Sequence, residues 1–153
     1  SECVVDMFAG VGPYAIPMAA RGAAVVACDL NERAIEYLRA NAARNGVEER
    51  VTAIAGDVRA LGDDHADTAD RLVMNLPHSA DEFLDTAVRL AGDDCLVHDY
   101  DIQHEADPSG PGLQAFRAAA ADAYEVTVET ERVVKSYAPH EYNVCLDVRL
   151  TRV

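Results

Sequence analysis

The sequence has no long hydrophobic run and no cysteine pair of the kind that binds zinc. No apolar segment approaches the ~18 consecutive residues that suggest a membrane span, and the N-terminus lacks the basic start and cleavage pattern of a signal peptide. Cys3, Cys28, Cys95 and Cys145 form no CxxC motif, and each lies in a predicted strand. A zinc site or a disulfide framework is therefore not predicted. We expect a soluble, cytoplasmic protein whose core thiols are reduced.

Lysine is nearly absent, and acidic residues dominate. The chain has one lysine, Lys135, beside 12 arginines, 16 aspartates and 11 glutamates, and its net charge is −14. This composition is typical of salt-accumulating halophilic archaea, and an acidic mesophilic enzyme is the alternative. A nucleic-acid-binding protein normally carries a basic patch, but at molar salt the Debye length is only about 3 Å. The acidity therefore weakens a nucleic-acid hypothesis without excluding it.

The 153 residues have the size of one ordinary domain, without an internal repeat or a linker. Short apolar runs alternate with helical patterns, which is typical of βαβ units and a parallel sheet covered on both faces. The predicted strands are Cys3–Met7, Ala24–Asp29, Val51–Ala55, Arg71–Asn75 and Cys95–Asp99.

Helical patterns fill most of the intervals between these strands. The clearest helix follows Asn31, a good N-cap, and stops at Asn45-Gly46. A second helix is predicted over Asp81–Leu90, and a third begins around Pro111. The mostly polar stretch Leu61–Asp70 is predicted to be a solvated loop.

The pattern changes after Tyr124. Two strand-like segments, EVTVETERVV and YNVCLDVRL, are separated only by KSYAPHE, so we predict an antiparallel pair. Five parallel strands followed by an antiparallel hairpin indicate the α/β, Rossmann-like seven-stranded sheet of class I S-adenosylmethionine-dependent methyltransferases.

The first predicted strand runs into FAGVG, where Gly10 and Gly12 let a ligand approach the backbone closely. The segment does not match GxGxxG, and GxxxxGK[ST] does not occur in the chain, so a phosphate ligand is not expected. Asp6 precedes the loop, and its carboxylate suits a ligand with positive charge. S-adenosyl-L-methionine carries a sulfonium and an ammonium and has no phosphate, so we predict this cofactor. The alternative is that Asp6 only hydrogen-bonds the turn.

Two further predicted strands also lead to acidic residues. Asp29 lies about twenty residues beyond the loop, where an acid accepts both hydroxyls of a ribose. Asp57 follows the third strand, where it is placed to meet the adenine amino group while Val58 offers backbone and apolar contact. Capping of a helix or loop is the alternative for each. Three acidic strand ends in order, at Asp6, Asp29 and Asp57, are more specific than any one of them.

The fourth predicted strand ends in NLPH, which resembles the NPPY-type motif of methyltransferases that modify planar nitrogen atoms of nucleobases. Asn75 offers an amide donor and an acceptor for the edge of a base. Pro77 fixes the backbone, so that the Leu76 carbonyl points in a defined direction. A simple Asn-x-Pro turn is the alternative. His78 is more simply explained as a loop residue than as a catalytic base.

Several segments together resemble the archaeal tRNA (guanine-N1)-methyltransferase family (class I, Met-10+ like). They are VVDMFAGVGPY, CDLN, GDVR, MNLPHSADEFLDTA and VVKSYAPHEYNVCLDVRL. The resemblance covers essentially the whole chain and implies a monomeric enzyme that methylates guanosine 37 beside the anticodon of tRNA. With the residues discussed above, the implied catalytic residues are Asn75 and Pro77, and the implied cofactor contacts are Asp6, Phe8, Gly10, Gly12, Tyr14, Asp29, Leu30, Asp57, Val58 and Asn75.

The sequence departs from this family at its start. Family members have RNA-binding segments before the first strand and an Asn-x-x-Glu-Arg stretch just upstream, and neither occurs in residues 1–153. The glutamate of that stretch is implicated as the base that removes the guanine N1 proton. We therefore interpret residues 1–153 as the methyltransferase catalytic domain of a larger enzyme, which binds the cofactor but methylates poorly alone.

Three other functions stay open at this point. The related wyosine-pathway enzymes share the motif layout and transfer the aminocarboxypropyl group of the cofactor to tRNA. A non-catalytic module that binds RNA or the cofactor is the second possibility. A small-molecule methyltransferase is the third, and NLPH disfavours it.

The remaining polar residues give weaker signals. A metal site is not predicted, because His65, His98, His104 and His140 lack ligand spacing. Near the terminal hairpin, candidates for contact with RNA phosphates are Arg132, Lys135 and Arg149, and candidates for stacking on a base are Tyr137 and Tyr142. Isolated surface charges and hairpin packing are the respective alternatives.

Overall fold

One mixed sheet organises the chain. The computed structural model describes residues 1–75, 83–104, 110–138 and 141–153. The strands are β1 (Cys3–Asp6), β2 (Ala24–Asp29), β3 (Val51–Ala55), β4 (Ala69–Asn75), β5 (Ala91–His104), β6 (Tyr124–Ala138) and β7 (Glu141–Arg152). The helices are α1 (Ala15–Ala20), α2 (Glu32–Arg44), α3 (Leu84–Leu90) and α4 (Gly110–Ala120), with 3-10 helices at Glu48–Arg50 and Val58–His65. Within these described ranges, every helix is too short or too polar to cross a membrane.

The strand order confirms the predicted fold class. The seven strands lie in the order β3-β2-β1-β4-β5-β7-β6. The pairs β1–β2, β1–β4, β2–β3 and β4–β5 are parallel, and β7 is antiparallel to both β5 and β6. The chain builds outward from β1 to β3, then returns to the other side of β1 with β4. This reversal creates a switch point, and open α/β sheets bind ligands at the carboxyl ends of the strands beside such a point.

The core consists of two hydrophobic clusters, one on each face of the sheet. Successive side chains of a strand point to opposite faces, so Val4 packs with α1 and α2 while Val5 packs with α3 and α4. Val4, Val5 and Phe116 of α4 are all fully buried. Coverage of both faces explains why the parallel strands read as nearly continuous apolar runs.

The helix α2 forms as its sequence predicted. The Asn31 side chain accepts hydrogen bonds from the backbone N–H groups of Arg33 and Ala34, which satisfies two donors that a helix start leaves without partners. Ile35 and Leu38 are fully buried against the sheet. Asn45 caps the C-terminus, and the following Gly46 takes a φ of +68°.

The stretch 61–70 is not the solvated loop that its polarity predicted. Val58–His65 forms a 3-10 helix, and Leu61 within it is only 6% exposed. The strand β4 already begins at Ala69, which is fully buried. A single apolar side chain anchors this short helix to the core, and a polarity average over ten residues conceals it.

The terminal strands are longer than predicted. Most of KSYAPHE, predicted as a loop, belongs to strands: β6 runs to Ala138, which pairs with Glu141 at the start of β7. The strand β5 extends from Ala91 to His104 because β7 pairs along nearly all of it. The length of these strands is set by their partners, which a local apolar pattern does not reveal. Of the predicted helix over 81–90, the structure describes α3, and residues 81 and 82 lie outside the described ranges.

The four cysteines are free thiols, as predicted. Cys28, Cys95 and Cys145 are buried, whereas Cys3 is only partly buried. Burial raises the pKa of the Cys95 thiol to about 12, so this side chain stays protonated and packs as a small apolar residue.

Candidate functional site

A cavity of about 130 Å³ lies where β1, β2 and β3 end. Its lining residues are Met7, Phe8, Asp29, Leu30, Gly56, Asp57, Val58 and Phe83. Five predicted cofactor residues are among them: Phe8, Asp29, Leu30, Asp57 and Val58. A larger cavity of about 400 Å³ lies near Glu2 and Arg71, at the amino ends of the strands. Ligands of open α/β sheets bind at the carboxyl ends, so the smaller cavity is the candidate site.

Asp29 fastens the loop that follows β1 to the end of β2. One carboxylate oxygen accepts a hydrogen bond of 2.9 Å from the Gly10 N–H, and the other accepts one of 2.9 Å from the Asn31 N–H. Gly10 has a φ of +58°, in the left-handed region that glycine tolerates best. A carboxylate oxygen has two lone pairs, so each oxygen keeps one acceptor position for a ribose hydroxyl.

Gly12 is required for packing rather than for ligand approach. Its φ is +99°, and a Cβ atom at this position would lie 2.9 Å from Cγ1 of Ile16 and 3.5 Å from Cγ of Leu38. The residue is buried between α1 and α2 and does not line the cavity. The prediction that both glycines admit a ligand therefore finds its structural support at Gly10, beside Asp29.

Asp6 is a fully buried carboxylate at the end of β1. Neither oxygen has a hydrogen-bond partner of normal geometry. Burial raises the pKa of Asp6 from 3.8 to about 7; the nearby Phe8 N–H opposes this shift, and the charge of Asp29 adds to it. Asp6 has no exposed surface, so in this arrangement it does not touch a ligand in the cavity directly. A positive group nearby would favour its ionised form.

Asp57 is held by Arg59, two residues further along the chain. The Arg59 backbone N–H donates to Oδ1 at 2.9 Å, and its guanidinium donates to both carboxylate oxygens, with the shortest contact at 2.6 Å. Hydrogen bonds from the Arg59 side chain and backbone lower the pKa of Asp57 to about 2. The carboxylate therefore stays ionised and accepts hydrogen bonds only.

Two phenylalanines form the apolar wall of the cavity. The rings of Phe8 and Phe83 meet edge to face, with centroids 4.9 Å apart. The Arg59 guanidinium carbon lies 5.0 Å from the centroid of the Phe83 ring, at cation–π distance. Apolar walls with two carboxylates at the rim suit a nucleoside, whose base is flat and whose ribose carries hydroxyl donors.

A second group of predicted residues lies at the ends of β4 and β5. Asn75 pairs in register with Tyr100 of β5, and Tyr100 stacks on Tyr14 with ring centroids 5.8 Å apart. Desolvation by burial, followed by a contact with Cys145, raises the pKa of the Tyr100 phenol, which stays neutral. Neither Tyr14 nor Asn75 lines the cavity. The predicted site thus divides into a nucleoside pocket and a polar aromatic edge at the end of β4.

Several predicted residues lie outside the described ranges. Leu76, Pro77 and His78 fall within 76–82, so their roles stay predictions. His140 also lies outside the described ranges, and the structure does not describe the side chains of His104, Lys135, Tyr137 and Tyr142. In the described parts of the chain, no three His, Cys, Asp or Glu side chains converge as metal ligands would.

Arg149 is occupied by acidic neighbours. Its guanidinium contacts Glu129, and it donates to Asp94 at 2.7 Å. These carboxylates raise the pKa of Arg149, which stays charged. Its charge is already balanced within the fold, so Arg149 is a poor candidate for an RNA phosphate contact. Arg132 is exposed on β6 and remains a candidate.

The chain was compared with known proteins. The model of the TRM5/TYW2 methyltransferase domain matches residues 1–136. A tRNA (guanine(37)-N(1))-methyltransferase, Trm5b of Pyrococcus abyssi, is 41% identical over 152 residues, covering 98% of this chain and 44% of the relative. The chain belongs to the TRM5/TYW2 methyltransferase family.

Other TRM5/TYW2 relatives have a second activity or known ligands. A tRNA(Phe) (4-demethylwyosine(37)-C(7)) aminocarboxypropyltransferase of Pyrococcus horikoshii is 32% identical, over 97% of this chain and 54% of the relative. The structure of M. jannaschii TYW2 in complex with AdoMet has a TM-score of 0.92 and 29% identity, covering 100% of this chain and 70% of that one. The complex of aTrm5 and tRNALeu has a TM-score of 0.85 and 34% identity, covering 98% and 41%. The chain thus spans about half, or less, of the curated relatives.

Three residues of this TRM5/TYW2 domain were not predicted as site residues. Arg59 was quoted only as part of GDVR, Phe83 was assigned only to the core, and Tyr100 was not considered. The Asp-x-Arg spacing at the end of a strand is the signal that indicates Arg59. Phe83 and Tyr100 reach the site through tertiary contacts, for which the local sequence gives no comparable signal.

Proposed function

We propose that this chain is the catalytic domain, residues 1–153, of an enzyme that transfers a methyl group from S-adenosylmethionine to N1 of guanosine 37 in tRNA. The observation that carries the proposal is the cavity at the carboxyl ends of the strands, where the carboxylates of Asp29 and Asp57 border an apolar wall. The 41% identity to the Pyrococcus abyssi enzyme supports the same activity.

The residues present fit the proposed cofactor. Asp29 keeps acceptor positions for the ribose hydroxyls, and Asp57 presents an ionised acceptor for the adenine amino group. Phe8 and Val58 supply apolar contact for the base. Asp6, buried without a normal hydrogen-bond partner, supplies negative charge for a cationic ligand beneath the loop after β1. When bound, the cofactor supplies an electrophilic methyl group on a sulfonium.

The edge formed by Tyr14, Asn75 and Tyr100 is proposed to hold the target base. The Asn75 amide has a donor and an acceptor for the guanine edge, and Tyr14 and Tyr100 shield that side of the site from water. Guanine N1 carries a proton at neutral pH, so a base must remove it as the methyl group is transferred. Since the chain spans 44% of the Pyrococcus abyssi relative, we place this base and most of the tRNA-binding surface in the rest of a longer protein.

Aminocarboxypropyl transfer to tRNA is the second candidate function. It is favoured by the Pyrococcus horikoshii relative at 32% identity. Both reactions use the same nucleoside pocket and differ in which carbon attached to the sulfonium is transferred. The higher identity to the methyltransferase places methyl transfer first.

The cellular setting is proposed from composition and homology. A tRNA substrate implies a cytoplasmic enzyme, and we propose that it acts as a monomer. The net charge of −14 and the near absence of lysine fit a halophilic archaeal source.

The test uses the full-length protein with labelled S-adenosylmethionine and unmodified tRNA transcripts that carry either guanosine or adenosine at position 37. We expect N1-methylguanosine by mass spectrometry of the nucleosides, and only with the guanosine transcript. An aminocarboxypropyl product would instead establish the second candidate. Absence of any product, together with absence of binding of S-adenosylhomocysteine by calorimetry, would overturn both.

A further inference from the structure

Arg59 connects two walls of the nucleoside pocket. Its guanidinium holds both oxygens of Asp57 at the end of β3, and it lies 5.0 Å from the ring centroid of Phe83, directly before α3. The Asp57 side chain is one-third exposed and lines the cavity. The Arg59 side chain is 57% exposed, so core packing does not require it.

This contact controls what the pocket can accept. An arginine side chain is always protonated in proteins, and its planar fork fixes a carboxylate in one orientation. Three groups of Arg59 bind Asp57: the backbone N–H, Nε and one terminal nitrogen. An ionised carboxylate offers only acceptors, so a ligand group that meets Asp57 must be a hydrogen-bond donor.

Purine bases differ at the position that would meet this acceptor. Adenine carries an amino donor at carbon 6, whereas hypoxanthine carries a carbonyl acceptor there. An acceptor placed against an ionised carboxylate loses a hydrogen bond and is repelled. Sites built to bond one polar group reject an analogue without it, because their own polar group is left without a partner.

We infer that Arg59 is a positioning residue that makes the pocket selective for adenine, by fixing the Asp57 carboxylate as an obligatory acceptor against the Phe83 wall. The inference rests on the proposed binding of an adenosine-containing cofactor. It assigns to Arg59 a role in choosing the base, separate from the methyl-transfer step at Asn75.

The test compares the binding of S-adenosylhomocysteine and S-inosylhomocysteine, its deaminated analogue, by calorimetry at fixed pH and salt. For the unchanged protein we expect a preference of at least about tenfold for the adenine compound, since a hydrogen bond to a charged group is at stake. Arg59→Gln should reduce this preference to about threefold or less, because the carboxylate is no longer held by a charged fork. Arg59→Lys should keep an intermediate preference, because it restores the charge without the bidentate geometry.

Two further variants separate selectivity from general damage. Asp57→Asn should also abolish the preference, because an amide can donate to the hypoxanthine carbonyl. Arg33→Gln is the matched control: Arg33 lies over the Tyr37 ring on the exposed side of α2, 5.9 Å from its centroid, and its loss should leave the preference unchanged. Thermal melting confirms that each variant is folded.

The outcomes separate the inference from the proposed function. If the unchanged protein binds neither compound, the proposed cofactor is wrong, and the inference falls with it. If the unchanged protein binds S-adenosylhomocysteine with the expected preference and Arg59→Gln retains that preference, only the role of Arg59 is overturned. A loss of preference in both Arg59→Gln and Asp57→Asn, with Arg33→Gln unchanged, supports the inference.

Discussion

The Gly10 N–H donates a hydrogen bond of 2.9 Å to the Asp29 carboxylate, which ties the loop after β1 to the end of β2. The same carboxylate accepts from the Asn31 N–H with its other oxygen. One side chain therefore sets the shape of the glycine loop and the entry into α2. It also borders the nucleoside pocket, so its structural and binding roles are coupled.

The first prediction is that Asp29→Asn destabilises the fold as well as weakening cofactor binding. The amide would place its NH₂ group against the N–H of either Gly10 or Asn31, leaving two donors facing each other. We expect a loss of about 1–3 kcal/mol in the free energy of unfolding by urea titration. Glu36→Gln, on the exposed side of α2, is the control and should change little. Equal stability of the two variants would contradict this account.

The second prediction concerns the pH dependence that Asp6 introduces. Its pKa is raised from 3.8 to about 7 in the folded state, so folding favours the protonated form. The stabilising contribution is complete below about pH 4 and is lost as the pH rises toward 7, by up to about 4 kcal/mol. Asp6→Asn removes this titration. Its stability relative to the unchanged protein should therefore increase from pH 5 to pH 8, as urea titrations at each pH will measure. A difference independent of pH would refute the assignment.

The third prediction concerns Tyr124, a buried residue at the start of β6. Its hydroxyl donates to the Ala91 carbonyl at 2.8 Å and accepts from Arg152 at 2.8 Å. Tyr124→Phe leaves the Ala91 carbonyl with only a long 3.5 Å contact to Arg152. We expect a cost of about 1–3 kcal/mol in unfolding free energy, the penalty for a buried group left without its partner. Unchanged stability would mean that water replaces the hydroxyl.

The fourth prediction separates binding from chemistry at Asn75. In the full-length protein, Asn75→Ala should lower the single-turnover rate of methyl transfer by about 100-fold, because the target base is no longer held in line with the methyl group. The Kd of S-adenosylhomocysteine should change far less, since Asn75 does not line the nucleoside pocket. Asn45→Ala, at the C-terminus of α2, serves as the control. A large loss of cofactor affinity with an unchanged rate would reverse the assignment.

The fifth prediction follows from the net charge of −14. Repulsion among surface carboxylates opposes the compact state and is screened by salt. We expect the melting temperature to rise between 0.1 M and 2 M KCl, which are about tenfold and more apart in ionic strength and cover Debye lengths from about 10 Å to below about 3 Å. A melting temperature that is flat or falls over this range would argue for an ordinary mesophilic protein.

Strand positions, fold class and most of the nucleoside pocket could be predicted from the sequence because they depend on local patterns. The apolar runs of β2 and β3 have the predicted bounds. Asp29 and Asp57 follow those runs directly, and the carboxyl ends of neighbouring parallel strands meet at one edge. For these residues, spacing along the chain is enough to place them together.

Other features depend on contacts between distant segments. Tyr100 reaches Tyr14 only because β5 lies two strands from β1, and Phe83 reaches Phe8 across the end of β4. The burial of Asp6, which removes it from the cavity surface, arises from the packing of α1 and α2. The requirement for Gly12 likewise comes from the Ile16 side chain rather than from a ligand.

The placement of β7 has a consequence for how the molecule is made. This strand lies between β5 and β6, although it follows both in the chain. During synthesis, β5 and β6 must wait without their shared neighbour until the ribosome has released the last residues of β7. A chain interrupted before Glu141 would leave two long, open strand edges, each a template for pairing with another molecule. Nascent copies of this domain therefore need protection from one another until β7 has emerged.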